Sequence, residues 1–294
     1  MTEIKNTIFD VLIIGGGVGG MSTAVYAKRR GERVAIIEKL ALGGQALMLE
    51  RIENFPSEAE IDGVGLVEKF KKQLKHLGVE IIFDEVKKIE KRDENFVLVG
   101  KKSNYETKKV VLATGISNKT LGVGEEKFIG AGVSYCAICD ANFFKGKEVC
   151  VASKNGSGYG EAKILSKVCS KVTLIDSEDV SKLEKANLIK NIDFVSNANI
   201  VGVSGDGVLK SVEIEKDGES VTLDTSALFI AIGKEPNSSL LKDISKLDQN
   251  GFVVTDENMT TSTSGVFAVG DVRNGVLKQI VTACADGSIA GAKA

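Results

Sequence analysis

The sequence predicts an α/β protein of two three-layer nucleotide folds, the second inserted into the first, and three observations carry that expectation. Residues 9 to 38, FDVLIIGGGVGGMSTAVYAKRRGERVAIIE, read strand, glycine turn, helix, strand. Residues 147 to 176, KEVCVASKNGSGYGEAKILSKVCSKVTLID, repeat that order, with CAIC at 136 to 139 just upstream. GVFAVGD at 265 to 271 is a late apolar strand that returns the chain to the first fold. The expected domains are 1–116 with 234–294, and 117–233 between them.

In the first segment the apolar run Phe9 to Ile14 leads directly into Gly15, Gly17 and Gly20 in GxGxxG spacing, then into the helical pattern Met21 to Arg30. This is the order that a dinucleotide-binding, Rossmann-like fold requires. Gly15 permits the tight turn, Gly17 lets a pyrophosphate approach the backbone, and Gly20 lets the helix close on the strand. The phosphates then meet the helix N-terminus. A second strand, Arg33 to Ile37, ends in Glu38, whose carboxylate can accept from both hydroxyls of a ribose.

Further along, Val79 to Phe83, Val86 to Ile89 and Asn95 to Val99 alternate as short strands, and Val110 to Ala113 form another that ends at Thr114-Gly115. Gly122, Gly124, Gly130 and Gly132 then punctuate the approach to CAICD. Val221 to Ile232 read as an apolar strand pair ending at Gly233, and a final helix opens near Gln279. The crossings at Thr114-Gly115 and Gly233-Lys234 are either hinges or plain strand ends; spacing alone does not separate the two.

Composition narrows the function. A net charge of −2 gives no warrant for nucleic-acid binding. Lys69, Lys71, Lys72 and Lys75 alternate with apolar residues at helical spacing and read as a solvated face. With no secretory signal and no apolar run near membrane-spanning length, the chain reads as cytoplasmic and off the membrane. The single histidine, His76, lies among those lysines, so serine-type hydrolysis and the usual zinc chemistries have no convincing base or ligand.

Cys136 and Cys139, three residues apart at a helix start, can meet in a disulfide, and helix-terminal amides favour a thiolate there. Asp140 follows and could deliver a proton to the leaving thiolate. A CxxC is also half of a zinc site, but a second ligand pair is missing. Cys150, Cys169 and Cys284 sit singly in apolar strand or helix patterns and read as buried, inert thiols.

These motifs resemble the low-molecular-weight thioredoxin reductases over essentially the full chain: GGGVGG, GGQ at 43 to 45, ATG at 113 to 115, CAICD at 136 to 140, AIGKEPN at 231 to 237 and GVFAVGDVRNGVLKQIVTACADG at 265 to 287. The resemblance implies FAD in the outer domain, with Glu38 on the adenosine ribose, Asp271 on the ribitol chain, and Gln45 and Gln279 near the flavin. It adds Gly44, Asn54, Thr114, Gly115, Gly270 and Ile280 to the cofactor-binding set. It further implies that Cys139 faces the flavin, that Cys136 attacks thioredoxin, that Asp140 is the acid, and that the protein is a homodimer. Glutathione-reductase-type enzymes place their cysteines near the first nucleotide fold, and Leu40 to Met48 contains none.

The second segment departs from the family's NADPH pattern. Where members carry a GGGN-type loop, the glycines fall on Ser153, Lys154 and Asn155, and the HRR cluster falls on Asp176, Ser177 and Glu178. Side chains on the loop obstruct a pyrophosphate, and Asp176, Glu178 and Asp179 place negative charge where a 2′-phosphate needs cations. Asp176 could still accept an NAD ribose. The departure resembles the ferredoxin-dependent flavin thioredoxin reductases, which lack NADPH motifs. Ferredoxin near roughly −400 mV and thioredoxin near roughly −270 mV leave about 6 kcal/mol for two electrons. Rival expectations are an NAD(P)H-dependent thioredoxin reductase, a flavin dithiol oxidase acting on small molecules, and a non-enzymatic flavin redox sensor.

Overall fold

The computed structural model describes residues 8–49 and 51–294. The chain divides into two compact units, the described chain to Ser117 with Glu235–Ala294, and Asn118–Lys234. In the first unit β1 (Phe9–Ile14) leads through the glycine turn into α1 (Val18–Arg29) and then β2 (Val34–Glu38). Both strands are buried almost throughout, as central strands covered on two faces must be. After α2 (Gly63–Leu77) come β3 (Glu80–Phe83), β4 (Val86–Arg92), β5 (Asn95–Gly100), β6 (Asn104–Leu112) and β7 (Ile116–Asn118).

α2 is bounded by local chemistry: Asp62 caps its start by accepting from Gly65 N at 2.6 Å, and Gly78 ends it in the left-handed region at φ 68°. Lys69, Lys72, Lys75 and His76 are exposed on it, and Lys69 and Lys71 pair with Glu58 and Glu68, so the lysines form a solvated face. Between β3 and β4 the buried Asp84 accepts from the Tyr105 hydroxyl at 2.8 Å and from the amides of Glu85, Lys102 and Ser103. It fastens the β5–β6 turn to the sheet.

The second unit begins its sheet with β8 (Val133–Ser134), followed by the single turn α3 (Ala137–Asp140), β9 (Glu148–Ser153), α4 (Tyr159–Leu165), β10 (Lys171–Asp176), α5 (Ser181–Ala186) and β11 (Ile192–Val195). Then come β12 (Ala198–Asp206), β13 (Val208–Lys216), β14 (Glu219–Asp224), β15 (Leu228–Ala231) and β16 (Lys234–Pro236). β11-β10-β9-β15-β8 form a parallel sheet, and β12-β13-β14 an antiparallel one. Val149 and Val151 pack toward Ala162, Leu165 and Phe229, whereas Cys150 and Ala152 pack toward Leu209, Val212 and Ile214. Alternation along β9 thus fills two cores and makes three layers.

The expected strand pair at Val221 to Ile232 proves to be two strands of different sheets. Thr225 Oγ1 and Ser226 N both bond Glu148 O, which turns the chain from β14 beside β13 to β15 beside β9. β7 and β16 form a two-stranded ladder.

β17 (Val266–Ala268) and α6 (Ile280–Lys293) complete the first unit. Its seven-stranded sheet runs β3-β2-β1-β6-β5-β4, with β17 also parallel to β6. One face packs Val11 and Ile13 against α1, α2 and α6; the other packs Leu12 and Ile14 against Leu98, Leu241, Val253 and Val272. α6 presses closely on α1: a Cβ at Gly287 would lie 2.3 Å from Gly19 O, and one at Gly291 would lie 2.5 Å from Thr23 O. Among the described residues no helix is long and apolar enough to cross a membrane, and no group of three or more His, Cys, Asp or Glu is gathered for a metal.

Candidate functional site

The turn after β1 divides labour among its glycines. Gly15 has φ 104° and a Cβ there would fall 2.5 Å from Ala113 O; one at Gly20 would fall 2.1 Å from Gly15 O. Those two positions exclude a side chain so that helix and strand can touch. Gly17 differs, because an added Cβ meets nothing within 4 Å. Backbone facing open space at the start of a helix is what a dinucleotide's pyrophosphate needs, so the residues present fit an FAD-sized group.

Glu38, only 9 % exposed, closes this turn: Oε2 accepts Gly16 N at 2.7 Å and Oε1 accepts Leu40 N at 2.8 Å. Each oxygen keeps a further acceptor position. The GGQ segment lies against the same turn, with Gly43 N donating to Gly16 O at 2.8 Å and a Cβ at Gly44 falling 3.4 Å from Gly17 Cα. Gln45 Nε2 donates to Ile116 O, and Asn54 Nδ2 donates to Gln279 Oε1 at 3.0 Å. Gln279 is the N-cap of α6 in a reciprocal capping box with Thr282, and Ile280 opens the helix packed on the core.

At the ATG segment Thr114 Oγ1 donates to Asn237 O at 2.6 Å, while Asn237 returns its Nδ2 to Thr114 O and its amide to Gly115 O, each at 3.0 Å. Gly115 also leaves its Cβ direction open. Gly270, at φ 71°, starts the turn that carries Asp271. The glycines, Glu38, Gly44, Gln45, Asn54, Thr114, Gly115, Gly270, Asp271, Gln279 and Ile280 therefore all belong to the first unit.

The redox candidates lie in the second unit. Cys136 and Cys139 are joined in a disulfide, and Cys136 Sγ accepts Cys139 N at 3.2 Å. Asp140 is not free beside them: Ser134 Oγ donates to its Oδ2 at 2.6 Å and accepts Cys136 N at 3.0 Å. Ser134 is 6 % exposed and was not singled out in the sequence, since a serine two residues before a CxxC has no signature of its own. The remaining thiols depart in part from expectation. Cys150 is buried on β9; Cys169 is buried in the turn beyond α4 rather than inside a helix; Cys284 on α6 is half-buried. Burial pushes Cys150 and Cys284 each up to about 11 and raises Cys169 as well.

In the second nucleotide fold the turn after β9 is occupied by its own bonds. Asp176, 0 % exposed, accepts Asn155 N at 2.9 Å, Gly156 N at 2.8 Å and Glu178 N at 2.9 Å. Lys154 N donates to Ser157 Oγ, Ser157 Oγ donates to Ala231 O, and Gly158 N donates to Ser153 Oγ at 2.9 Å. Of the three acids expected to repel a 2′-phosphate, Asp176 is buried and turned to the loop amides, while Glu178 and Asp179 are exposed. Asp179 also accepts Ser181 N at 2.9 Å at the start of α5.

The family described as pyridine nucleotide-disulphide oxidoreductase matches residues 9–287. A thioredoxin reductase of Treponema pallidum (strain Nichols) is 39% identical over 97% of this chain and 95% of its own. The chain belongs to the thioredoxin reductases within that family. Members of this family use FAD. The solved thioredoxin reductase of Streptococcus pyogenes MGAS5005 is 37% identical, with a TM-score of 0.79 over 98% of this chain and 97% of that one. A ferredoxin-flavin thioredoxin reductase of Clostridium acetobutylicum is 28% identical, with a TM-score of 0.55 over 97% and 96%.

Proposed function

We propose that this thioredoxin reductase family member reduces thioredoxin through Cys136–Cys139 and FAD, and that reduced ferredoxin, rather than a pyridine nucleotide, is its electron donor. The observation that carries the choice of donor is the turn after β9. Amides of that loop already bond Asp176, Ser153 and Ser157, and Lys154, Asn155 and Ser157 carry side chains between β9 and the α4 N-cap Gly158, where the first fold runs only Gly15, Gly16 and Gly17 into α1. A nucleotide would have to displace several internal hydrogen bonds and would find Glu178 where a phosphate needs a cation. The solved relative from Clostridium acetobutylicum, by name a ferredoxin-flavin enzyme, supports the same reading.

In this reading Gly15, Gly17 and Gly20 seat the pyrophosphate, Glu38 holds the adenosine ribose, and Asp271 the ribitol. Gly44, Gln45, Asn54, Thr114, Gly115, Gly270, Gln279 and Ile280 complete the site, within a cofactor domain formed by the first unit. FAD held by these residues would supply the chemistry that links one-electron donation by ferredoxin to two-electron reduction of the disulfide. Cys139 is the sulfur that receives the electrons. The S–S bond breaks on the two electrons, Cys139 takes up one proton, and Cys136 leaves as the exchange thiolate. The Cys139 amide, already directed at Cys136 Sγ, stabilises the Cys136 thiolate. That thiolate attacks the thioredoxin disulfide; Cys139 then attacks Cys136 in the mixed disulfide and releases reduced thioredoxin. Asp140, held by Ser134, shuttles the proton between the departing and arriving thiols. The protein acts as a homodimer in the cytoplasm.

Purified holoprotein tests this directly. Dithionite-reduced ferredoxin is expected to bleach the flavin and drive thioredoxin reduction over many turnovers, while micromolar NADPH leaves the flavin yellow. Rapid bleaching by NADPH overturns the choice of donor. NADH is the second reading, favoured by Asp176 standing at the end of β10 as Glu38 stands at the end of β2. Bleaching by NADH alone would establish it.

A further inference from the structure

Two charged side chains grip the backbone of the turn that carries Asp271. From α6, Asp286 Oδ2 accepts Gly270 N at 3.1 Å, and both of its oxygens lie 3.3 Å from Arg273 Nη1. Arg273 donates Nε to Thr255 Oγ1 at 2.7 Å. Lys278 Nζ donates to Asp271 O at 3.0 Å and to Arg273 O, and lies 4.5 Å from the centre of the Phe252 ring. Val253 N bonds Val272 O at 3.0 Å. Gly270, Asp271, Val272 and Arg273 thus each have a backbone group fastened from outside the turn.

The grip is made where it counts. The Arg273 and Asp286 side chains are 17% and 15% exposed, so their attraction is weakly screened by water. Gly270 sits at φ 71°, a conformation that a glycine abandons easily when nothing holds it. A turn left loose would have to be ordered at the moment of binding, and that ordering weakens affinity.

We propose that Lys278 and Asp286 are positioning residues for FAD: by fixing the backbone from Gly270 to Arg273 they hold Asp271 ready for the cofactor, and so set how tightly FAD is retained. The proposal rests on the reading that Asp271 contacts FAD. Lys278 and Asp286 act through the turn, Lys278 on the Asp271 and Arg273 carbonyls and Asp286 on the Gly270 amide, and an apolar side chain of similar length can make neither set of bonds.

The test is FAD release from diluted holoenzyme, followed by the rise of free-flavin fluorescence and by the absorption band of the bound flavin. Lys278→Met and Asp286→Asn are each expected to release FAD about tenfold faster or more, with Lys278→Arg close to wild type. Asp271→Ala is expected to release it at least about tenfold faster, and adding Lys278→Met to Asp271→Ala should change the rate by less than about twofold. If Asp271→Ala retains FAD like wild type, the reading of Asp271 fails and the proposal with it. If Asp271→Ala loses FAD while Lys278→Met and Asp286→Asn keep it, the clamp alone is overturned. Full multiplication of the Lys278→Met and Asp271→Ala effects also overturns it, because it would mean a general loosening of the fold. Should Lys278→Met not fold, Asp286→Asn and Lys278→Arg decide by the same comparison, loss in the first with retention in the second being the supporting result.

Discussion

Ser134 donates its hydroxyl to Asp140 Oδ2 at 2.6 Å while accepting the Cys136 amide, so one buried serine ties the acid to the redox turn. A hydroxyl has one proton, and Asp140 at 2.6 Å is its nearer acceptor, with Cys136 O at 3.4 Å. Ser134→Ala is therefore expected to leave Asp140 free to swing. The outcome should be a fall of about tenfold in the single-turnover rate of thioredoxin reduction by the reduced protein, against about a hundredfold for Asp140→Asn. Substitution of both should be no worse than Asp140→Asn alone; stopped-flow thiol release reads all three.

The contrast between Gly17 and Gly20 gives a second test. Gly17→Ala places a methyl in open space, so the cofactor-free protein should unfold in urea within about 0.5 kcal/mol of wild type while losing FAD on gel filtration. Gly20→Ala drives a methyl into Gly15 O and should lower stability by about 2 kcal/mol or more before any cofactor is considered. Equal stability losses in the two variants would contradict the assignment.

Asp176 supplies a third. Its removal leaves Asn155, Gly156 and Glu178 amides without their acceptor, so Asp176→Ala should destabilise the second unit by about 2–3 kcal/mol, seen as faster hydrogen exchange across Ser153–Tyr159. The variant should still give no flavin bleaching with NADPH, since Ser157 and Glu178 remain.

Acid lability follows from Asp84. Burial pushes its carboxyl up, but donation from Tyr105 and from the Glu85, Lys102 and Ser103 amides outweighs that and holds it below the usual carboxylate value. A folded-state value below the unfolded one means the contribution is complete above the unfolded value, near about 3.9, and is lost as pH falls through the folded value. The urea midpoint should be flat down to about pH 5 and fall below about pH 4, with Asp84→Asn less stable at pH 7 and less sensitive to that fall. A midpoint that declined between neutrality and pH 5 in step with Asp84 would contradict this sign.

Thiol reactivity separates the cysteines. With Cys150 and Cys284 each pushed up to about 11, iodoacetamide at pH 8 should label Cys136 and Cys139 of the dithiothreitol-reduced protein first, as read by peptide mass spectrometry. Labelling of Cys150 at a comparable rate would count against the burial seen on β9.

Residues whose role is set by near neighbours in the chain were legible. Gly15, Gly17 and Gly20 announce themselves by local spacing: Gly15 and Gly20 exclude a side chain for the tight turn and the close helix, while Gly17 leaves backbone facing open space. Cys136 and Cys139 are legible from a spacing of three. The inward turn of Asp176 was not, because an acid at a strand end is compatible with either a ribose or the loop's own amides, and only the folded loop chooses. Ser157 meeting Ala231, Asn237 returning to Thr114, and Asp286 reaching Gly270 join residues whose proximity exists only after the sheets have assembled. The polar pairs that stiffen the site were thus hidden, while its glycines and sulfurs were in plain view.

The discontinuity of the first unit has a temporal side. During synthesis, residues 118–234 leave the ribosome entire before β17 or α6 exists, so the inserted unit can close on its own core while its host still lacks a strand and a helix. Until Gly287 and Gly291 settle onto α1, the helix after the first glycine turn has a bare face. The first unit is thus the last to have all of its elements, since β17 and α6, which complete it, follow the whole of the inserted unit in the chain.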